Sequence, residues 1–379
     1  MRIGIDLTVL DHRRTGIGNY AFHLASELLW MDAEHEWVLF VPGNIGDQRD
    51  WEDRAKVVKL PAKHLPIWSA HVRYARIMKE QKLDVLHGVA NTLPLFYSGK
   101  SVITIHDLAI YKHPEWFERG QWFAKKIVAP RSIKKANKII VPSVTTKKAL
   151  IELFHVPEEK IAVIVHGVEE RFFKSPPFSS RLYHGQENNT KYILAVGTIE
   201  PRKNHVALLD AYAKLPENIR NQYELVIAGA RGWGTREFDL KLDSLKSEIT
   251  AHIKIMNYAS DEHLPALYKH ASLFVYPSLY EGFGLPVLEA MAAGIPVVTS
   301  KGSAMAETVS SLSSLGGEPK NYVSFVDPAS VEEIREAMVK ALSNSHIAKI
   351  MGEQGAEFAR HFTWRETAQN TLKVYRSLV

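Results

Sequence analysis

The 379-residue chain contains no cysteine, which excludes disulfides, thiolate metal sites and thiol nucleophiles and suits a reducing compartment. No apolar run approaches the ~18 residues that cross a bilayer. Its opening residues, MRIGIDLTVL, lack the basic and apolar regions of a secretory leader. A cytoplasmic protein without an anchor helix is the expectation. Asp-x-Asp is absent throughout, so no carboxylate pair of that kind asks for a divalent ion, and neither metal nor cofactor is expected. Glycine (22) and proline (18) are too few for collagen-like or low-complexity sequence.

What is present is ordinary globular material: 46% hydrophobic and 23% charged residues. At ~150 residues per domain, the length suggests two or three domains. The net charge of +5 conceals an uneven distribution. Residues 54–148 hold 19 Lys/Arg against 5 Asp/Glu, so the remainder carries −9. One basic surface follows, with nucleic acid, phosphorylated substrates and anionic lipid as candidate partners.

Short apolar runs alternate with helix-like stretches: RIGIDL (2–7), EWVLFVP (36–42), DVLHG (84–88), SVITIH (101–106), KIIVPS (138–143) and IAVIVHG (161–167). Between Arg171 and Lys191 the pattern gives way to Pro, Ser and Asn, which marks a boundary. Beyond it the alternation restarts with KYILAVGTI (191–199), ELVIAGA (224–230), LFVYPS (273–278) and PVVTS (296–300). Strand–helix alternation of this kind predicts an α/β chain of two Rossmann-like domains with parallel sheets, spanning 1–175 and 190–360. Residues 361–379 read as a terminal helix, with Thr363 as N-cap and Glu366 completing a capping box.

Chemistry concentrates in four motifs. YEGFGLPVLEAMAAGIPVV (280–298) leaves a strand, turns at glycines and enters a helix with Pro286 in its first turn. Gly284 and Leu285 would present backbone N–H groups at the positive helix end, an anion site. Glu281 and Glu289, eight residues apart, could line one cleft at the carboxyl edge of a sheet; taken alone, they are more readily read as solvated acids. VGTIEPRKN (196–204) sets Arg202 and Lys203 after a glycine turn, where two cations could stabilise a leaving diphosphate. RRTGIGNYAFHL (13–24) offers Gly16 and Gly18 for close backbone approach to a phosphate or acceptor, with a helix from Tyr20; GxG alone is weak. ITIHDL (103–108) ends a strand at His106, although a lone histidine is more often structural.

Two further stretches are less specific. AGARGWG (228–234) could bring Arg231 to the phosphates or be a surface turn, and Tyr258 could pack at a strand end. The basic segment interleaves Trp116, Phe117, Trp122 and Phe123 with Lys125 and Lys126. That combination suits peripheral contact with an anionic membrane, or else core aromatics beside a solvated lysine face. Nucleic acid is not expected, since no recognised nucleic-acid-binding pattern accompanies the charge.

The combination IDLTVL, RRTGIGNY, HDL, GTIEPRKN and EGFGLPVLEAMAAG resembles the retaining glycosyltransferases of family 4, which have the GT-B fold of two facing Rossmann-like domains. The resemblance implies that Glu281 contacts the transferred sugar and Glu289 the nucleotide ribose. It further implies that Lys203 and Arg202 hold the diphosphate, that His106 caps the sugar from the other domain, and that the Gly16–Gly18 loop and the Tyr258 backbone contact substrate. Many relatives have an arginine where this chain has Thr198. By the same analogy the terminal helix crosses back to the first domain. The chain looks most like bacterial GDP-mannose-dependent mannosyltransferases of O-antigen and polysaccharide assembly. That makes GDP-mannose the expected donor and a lipid-diphosphate-linked saccharide, at the inner face of the cytoplasmic membrane, the expected acceptor. UDP-glucose or UDP-GlcNAc as donor, a nucleotide-sugar epimerase, and a sugar-nucleotide or nucleic-acid binding protein are the alternatives.

Overall fold

Runs of Val, Ile, Leu and Phe without a polar face suit strands buried on both sides, as in parallel sheets. A computed structural model describes residues 1–10, 16–43, 49–61, 67–118, 124–174, 191–257, 260, 262–302, 304–311 and 322–379. The chain forms two units. One comprises Met1–Lys112, Arg119–Gly167 and Thr363–Val379; the other comprises His113–Glu118 and Val168–Phe362.

In the first unit, β1 (Arg2–Asp6), β2 (Glu36–Pro42), β3 (Lys56–Leu60), β4 (Val85–Gly88), β5 (Ser101–Thr104), β6 (Lys138–Val141) and β7 (Ile161–Val163) form one sheet in the order β3-β2-β1-β4-β5-β6-β7. Every pairing is parallel. All residues of β4 and β5 are buried. By contrast β3, KVVKL, lies at an edge with its lysines exposed, a common way of discouraging edge-to-edge pairing.

The helix Gly16–Met31 packs against the last helix, Trp364–Arg376, with His23 stacked on Trp364 at 5.2 Å between ring centres. Thr363 caps that last helix by accepting the Glu366 N–H at 3.1 Å. Gly167 lies so close that a Cβ there would stand 2.2 Å from the Trp364 nitrogen. Farther along, the Tyr375 hydroxyl meets His87 Nδ1 at 2.6 Å, while His87 Nε2 meets Thr104 Oγ1 at 2.8 Å and Thr104 meets the Tyr20 hydroxyl at 2.9 Å. Burial, with His106 nearby, pulls His87 down to about 3, so this buried chain runs through a neutral imidazole.

Two boundaries differ from the sequence expectation. The composition break at 171–191 lies beyond the change of unit, which falls at Gly167–Val168. The reason is packing: Val168 N–H donates to the Phe362 carbonyl at 3.0 Å, and Phe172 is buried edge-on against Tyr268 at 5.6 Å. Residues 113–118, placed by sequence in the first domain, group with the second unit.

The second unit repeats the pattern. Strands β8 (Lys191–Val196), β9 (Tyr223–Ala228), β10 (Ile253–Met256), β11 (Leu273–Tyr276), β12 (Val297–Ser300) and β13 (Ser324–Val326) stand in the order β10-β9-β8-β11-β12-β13. All are parallel, over a core that includes Ile193, Leu208, Leu225, Val275 and Val298. Both sheets thus share a Rossmann-like order, which reverses at the first strand. In the second unit the reversal lies between β8 and β11, and open α/β sheets bind ligands outside the carboxyl ends of strands at that point.

Candidate active site

The loops leaving β8 and β11 run side by side. Leu279 N–H donates to the Arg202 carbonyl at 2.9 Å, and Ser278 Oγ does so at 3.0 Å. Arg202 and Lys203 occupy a 3-10 turn, Pro201–Lys203, which Asn204 closes in the left-handed region at φ 57° before the helix His205–Ala213. The Asn204 amide fixes that bend by donating to the carbonyls of Pro277 at 3.1 Å and Pro328 at 2.7 Å.

Buried Glu281 is the hub between the two loops. Its Oε1 accepts from Lys203 Nζ at 2.6 Å, Ser278 Oγ at 2.7 Å and the Tyr276 hydroxyl at 2.8 Å; its Oε2 accepts from Arg202 Nη1 at 3.0 Å. Lys203 Nζ also donates to the Tyr276 oxygen. Arg202 reaches back to Glu200 Oε1 at 2.7 and 3.1 Å and to the Tyr280 carbonyl at 3.2 Å. Burial pushes the Glu281 carboxyl up, but the Arg202 and Lys203 charges and the hydrogen bonds from Lys203 and Ser278 outweigh it and hold it at about 2. Burial and Glu281 push the Tyr276 phenol well above its ordinary range, so it stays a neutral relay. The result is two cations held rigid by two acids, an arrangement preorganised to meet developing negative charge.

Glu289 lies on the helix Leu285–Ala292, where its Oε2 accepts the Tyr268 hydroxyl at 2.8 Å. Gly284 precedes that helix at φ 98°, a conformation costly for any residue with a Cβ, and Pro286 follows within the first turn. Gly284 is buried and Leu285 half-buried. Thr198 is half-buried and packs against Gly232, where a Cβ would lie 2.6 Å from Thr198 Cγ2.

In the first unit, His106 follows β5 and is buried with its Nε2 at 2.7 Å from the Val89 carbonyl. A carbonyl only accepts, so Nε2 carries the proton, and in the neutral ring Nδ1 is an acceptor. Burial lowers the His106 pKa, against the opposing pull of the Val89 hydrogen bond and Asp107. Its ring lies edge-on to Tyr20 at 4.7 Å.

One sequence expectation is corrected, and other candidates take definite places. The first helix begins at Gly16 rather than near Tyr20, so Gly16 and Gly18 form its opening turn and contribute first-turn amides instead of a loop. Arg231 pairs with Asp239, one turn into the helix Arg236–Ser244, at the exposed turn that the sequence offered as its other reading. Trp116 and Phe117 are half-buried within the second unit, an arrangement that accords with the packed-aromatic alternative. The Trp233 indole N–H donates to the Trp116 carbonyl, His113 stacks on Trp116 at 3.9 Å, and Phe117 lies 5.7 Å from Trp233. Lys125 is half-buried and Lys126 exposed. Tyr258, Trp122 and Phe123 lie outside the described residues.

Reading motifs alone missed Glu200, Tyr276, Ser278 and Tyr268 as partners of the site. The available signal was their position: Glu200 stands inside EPRKN, while Tyr276 and Ser278 close an otherwise apolar strand run. Among the described residues, Asp32, Glu34 and His35 come close enough to share a metal ion. His35 Nδ1 already pairs with Asp32 at 2.8 Å, and the group precedes β2, at the opposite edge of the sheet from its carboxyl ends.

Two Rossmann-like units, one carrying an ionised carboxylate and two cations at its switch point, define the class as a doubly wound α/β protein with a charged site at the carboxyl edge of its second sheet. Residues 14–172 match the model for "Glycosyltransferase Family 4", and residues 181–358 match that for "Glycosyl transferases group 1". O-antigen chain mannosyltransferase B of Escherichia coli is 31% identical over 321 residues, 81% of this chain and 77% of that protein. The serotype-specific mannosyltransferase WbdA of Escherichia coli is 26% identical over 74% of this chain, which spans only 34% of WbdA. Among solved structures, Anabaena HepE in complex with UDP-glucose superposes with a TM-score of 0.77 at 18% identity, covering 100% of both chains. The chain belongs to this glycosyltransferase family and is an enzyme of that class, with a GT-B fold. No helix among the described residues is long and apolar enough to cross a membrane.

Proposed function

We propose that the protein transfers mannose from GDP-mannose, with retention at the anomeric carbon, to a lipid-diphosphate-linked saccharide during O-antigen or related polysaccharide assembly. The observation that carries this reading is the Arg202–Lys203–Glu281 cluster at the switch point of the second sheet. The relatives' mannosyltransferase names favour mannose as the sugar.

In this reading the bond from C1 of the sugar to the diphosphate oxygen breaks while Lys203 and Arg202 stabilise the charge that builds on that oxygen. The acceptor hydroxyl bonds to C1 on the same face, and its proton passes to the departing phosphate. Gly284 and Leu285 offer helix-start amides to phosphate, Glu281 holds the cations and meets the sugar, and Glu289 meets the ribose. His106 contributes its Nδ1 acceptor to the sugar. No divalent ion is needed, because the two cations carry the electrostatic role. The first unit supplies acceptor binding, with exposed Lys126 on a basic surface that suits an anionic membrane.

Incubation with GDP-mannose and a lipid-linked saccharide mimic, with product anomers read by NMR, tests the reading. An α-mannoside formed in the presence of EDTA is expected. An inverted product would overturn retention, and transfer from UDP-glucose or UDP-GlcNAc alone would overturn the donor assignment.

A further inference from the structure

Beside the Arg202 turn, wholly on the second unit, lies a cavity of about 660 Å3 for which the transfer chemistry has no use. That volume lies within the ~300–1,000 Å3 of small-molecule sites. Its walls come from Glu115 and Trp116, the Ile199–Pro201 segment, the start of the helix His205–Ala213, and residues 234–238. Glu200 belongs to both places, since it lines the cavity and its carboxylate holds Arg202.

Charge decides what the cavity can take. Glu115, Glu200 and Glu237 line it with one cation, Arg236, and because Glu200 is already paired with Arg202 the lining offers no excess of positive charge. Phosphates, carboxylates and nucleotide diphosphates are therefore disfavoured. The same walls carry the aromatic rings of Trp116 and Phe238. Carboxylates that accept hydroxyls, in a wall that also holds aromatic side chains, match a neutral saccharide.

An independent feature points the same way. His205 lines the cavity and is 4% exposed, yet its Nδ1 has no hydrogen-bond partner among the described residues. A buried polar nitrogen without a partner is costly, and a ligand hydroxyl would supply one. Burial, with Lys203 close by, lowers His205 to about 3, so the ring is neutral and matched to an uncharged hydroxyl.

We propose that this cavity is a saccharide subsite on the second unit, holding a neutral sugar ring of the acceptor chain next to the Arg202 turn. The proposal rests on the glycosyltransferase reading and adds a location for part of the acceptor. Thr235, half-buried in the wall, allows the space to be filled. For T235W, the acceptor KM should rise at least tenfold while the donor KM and the rate of donor hydrolysis stay within twofold. Saturation-transfer NMR with α-linked mannobiose, without donor, should show binding to the unaltered protein that T235W loses. Where T235W fails to fold, E237Q carries the test, with a threefold or larger rise in acceptor KM expected. Unchanged acceptor KM and unchanged mannobiose contacts, with donor hydrolysis intact, would overturn the subsite alone. No hydrolysis or transfer from any nucleotide sugar by the unaltered protein would instead overturn the reading beneath it.

Discussion

Lys203 Nζ donates to Glu281 Oε1 at 2.6 Å, joining the loops that leave β8 and β11 across 78 residues of sequence. The contact is part-buried, with Glu281 itself buried, and Arg202 completes it on the other carboxylate oxygen. A carboxylate that fixes both cations sets the geometry of the site before any substrate arrives.

Replacing either partner should therefore damage both rate and stability. Glu281→Ala leaves two cations under-compensated and is expected to cost about 3–5 kcal/mol. Lys203→Ala keeps the Arg202–Glu281 pair and should cost less stability, yet lower kcat by roughly 10²–10³ through loss of charge stabilisation. Urea unfolding and transfer kinetics on the same variants check both; a Lys203→Ala enzyme with full activity would remove Lys203 from the chemistry.

Acid should destabilise the fold in two stages of the same sign. His87 and His205 sit at about 3 in the folded chain against an ordinary 6.5, so the unfolded chain takes up protons first and stability falls as the pH drops below 6.5. Glu281 is held at about 2 against 4.5, so its contribution is complete above 4.5 and is lost as the pH falls toward 2. Denaturant midpoints should fall from about pH 7 to about pH 5, and more steeply below about pH 4.5. A flat profile would contradict the buried neutral histidines.

How much of this was legible in the sequence depends on the range over which each feature acts. EWVLFVP and LFVYPS announce strands because nearly every position is apolar, and Thr363 with Glu366 announces a helix start within four residues. KVVKL escaped because lysines interrupt it, which its edge position allows. Gly16 and Gly18 suggested a loop but stand in a helix whose first turn tolerates them. EPRKN and the paired glutamates located the site, yet the Glu281 hub joins residues far apart in sequence, and spacing rules do not reach that far. Trp116 shows the same limit: an aromatic beside lysines looks the same whether a membrane or another part of the chain covers it.

The terminal helix should be sensitive at its far end. Tyr375→Phe removes the hydroxyl at 2.6 Å from His87 Nδ1 and leaves a buried ring nitrogen without that partner, for an expected loss of about 1–3 kcal/mol. Gly167→Ala should be worse, because its Cβ would overlap the Trp364 backbone, which cannot swing aside. Thermal melts of the two variants check the order; equal stability for Gly167→Ala and the unaltered chain would mean that the crossing relaxes freely.

Membrane contact, where it occurs, should depend on the lysines and not on Trp116. Charge reversal by Lys125→Glu with Lys126→Glu should weaken binding to vesicles containing anionic lipid and leave the donor KM unchanged. Trp116→Ala should leave vesicle binding intact, because that indole packs against His113 within the second unit. Vesicle binding that survives the charge reversal would identify the lysines as a solvated face.

Arg202 and Arg231 both follow strands of the second sheet and carry the same charge, but their surroundings assign them different weights. Arg202 is mostly buried and held by Glu200 and Glu281, so Arg202→Ala disorders the cluster and should lower kcat/KM by about a hundredfold or more. Arg231 is exposed and paired with Asp239, and exposed pairs contribute about 0–1 kcal/mol. Arg231→Ala should then leave kcat/KM within about threefold and stability nearly unchanged. Parallel donor titrations of both variants decide the matter. A loss at Arg231 as large as that at Arg202 would mean that the 228–234 loop abandons Asp239 and turns toward the phosphates when donor binds.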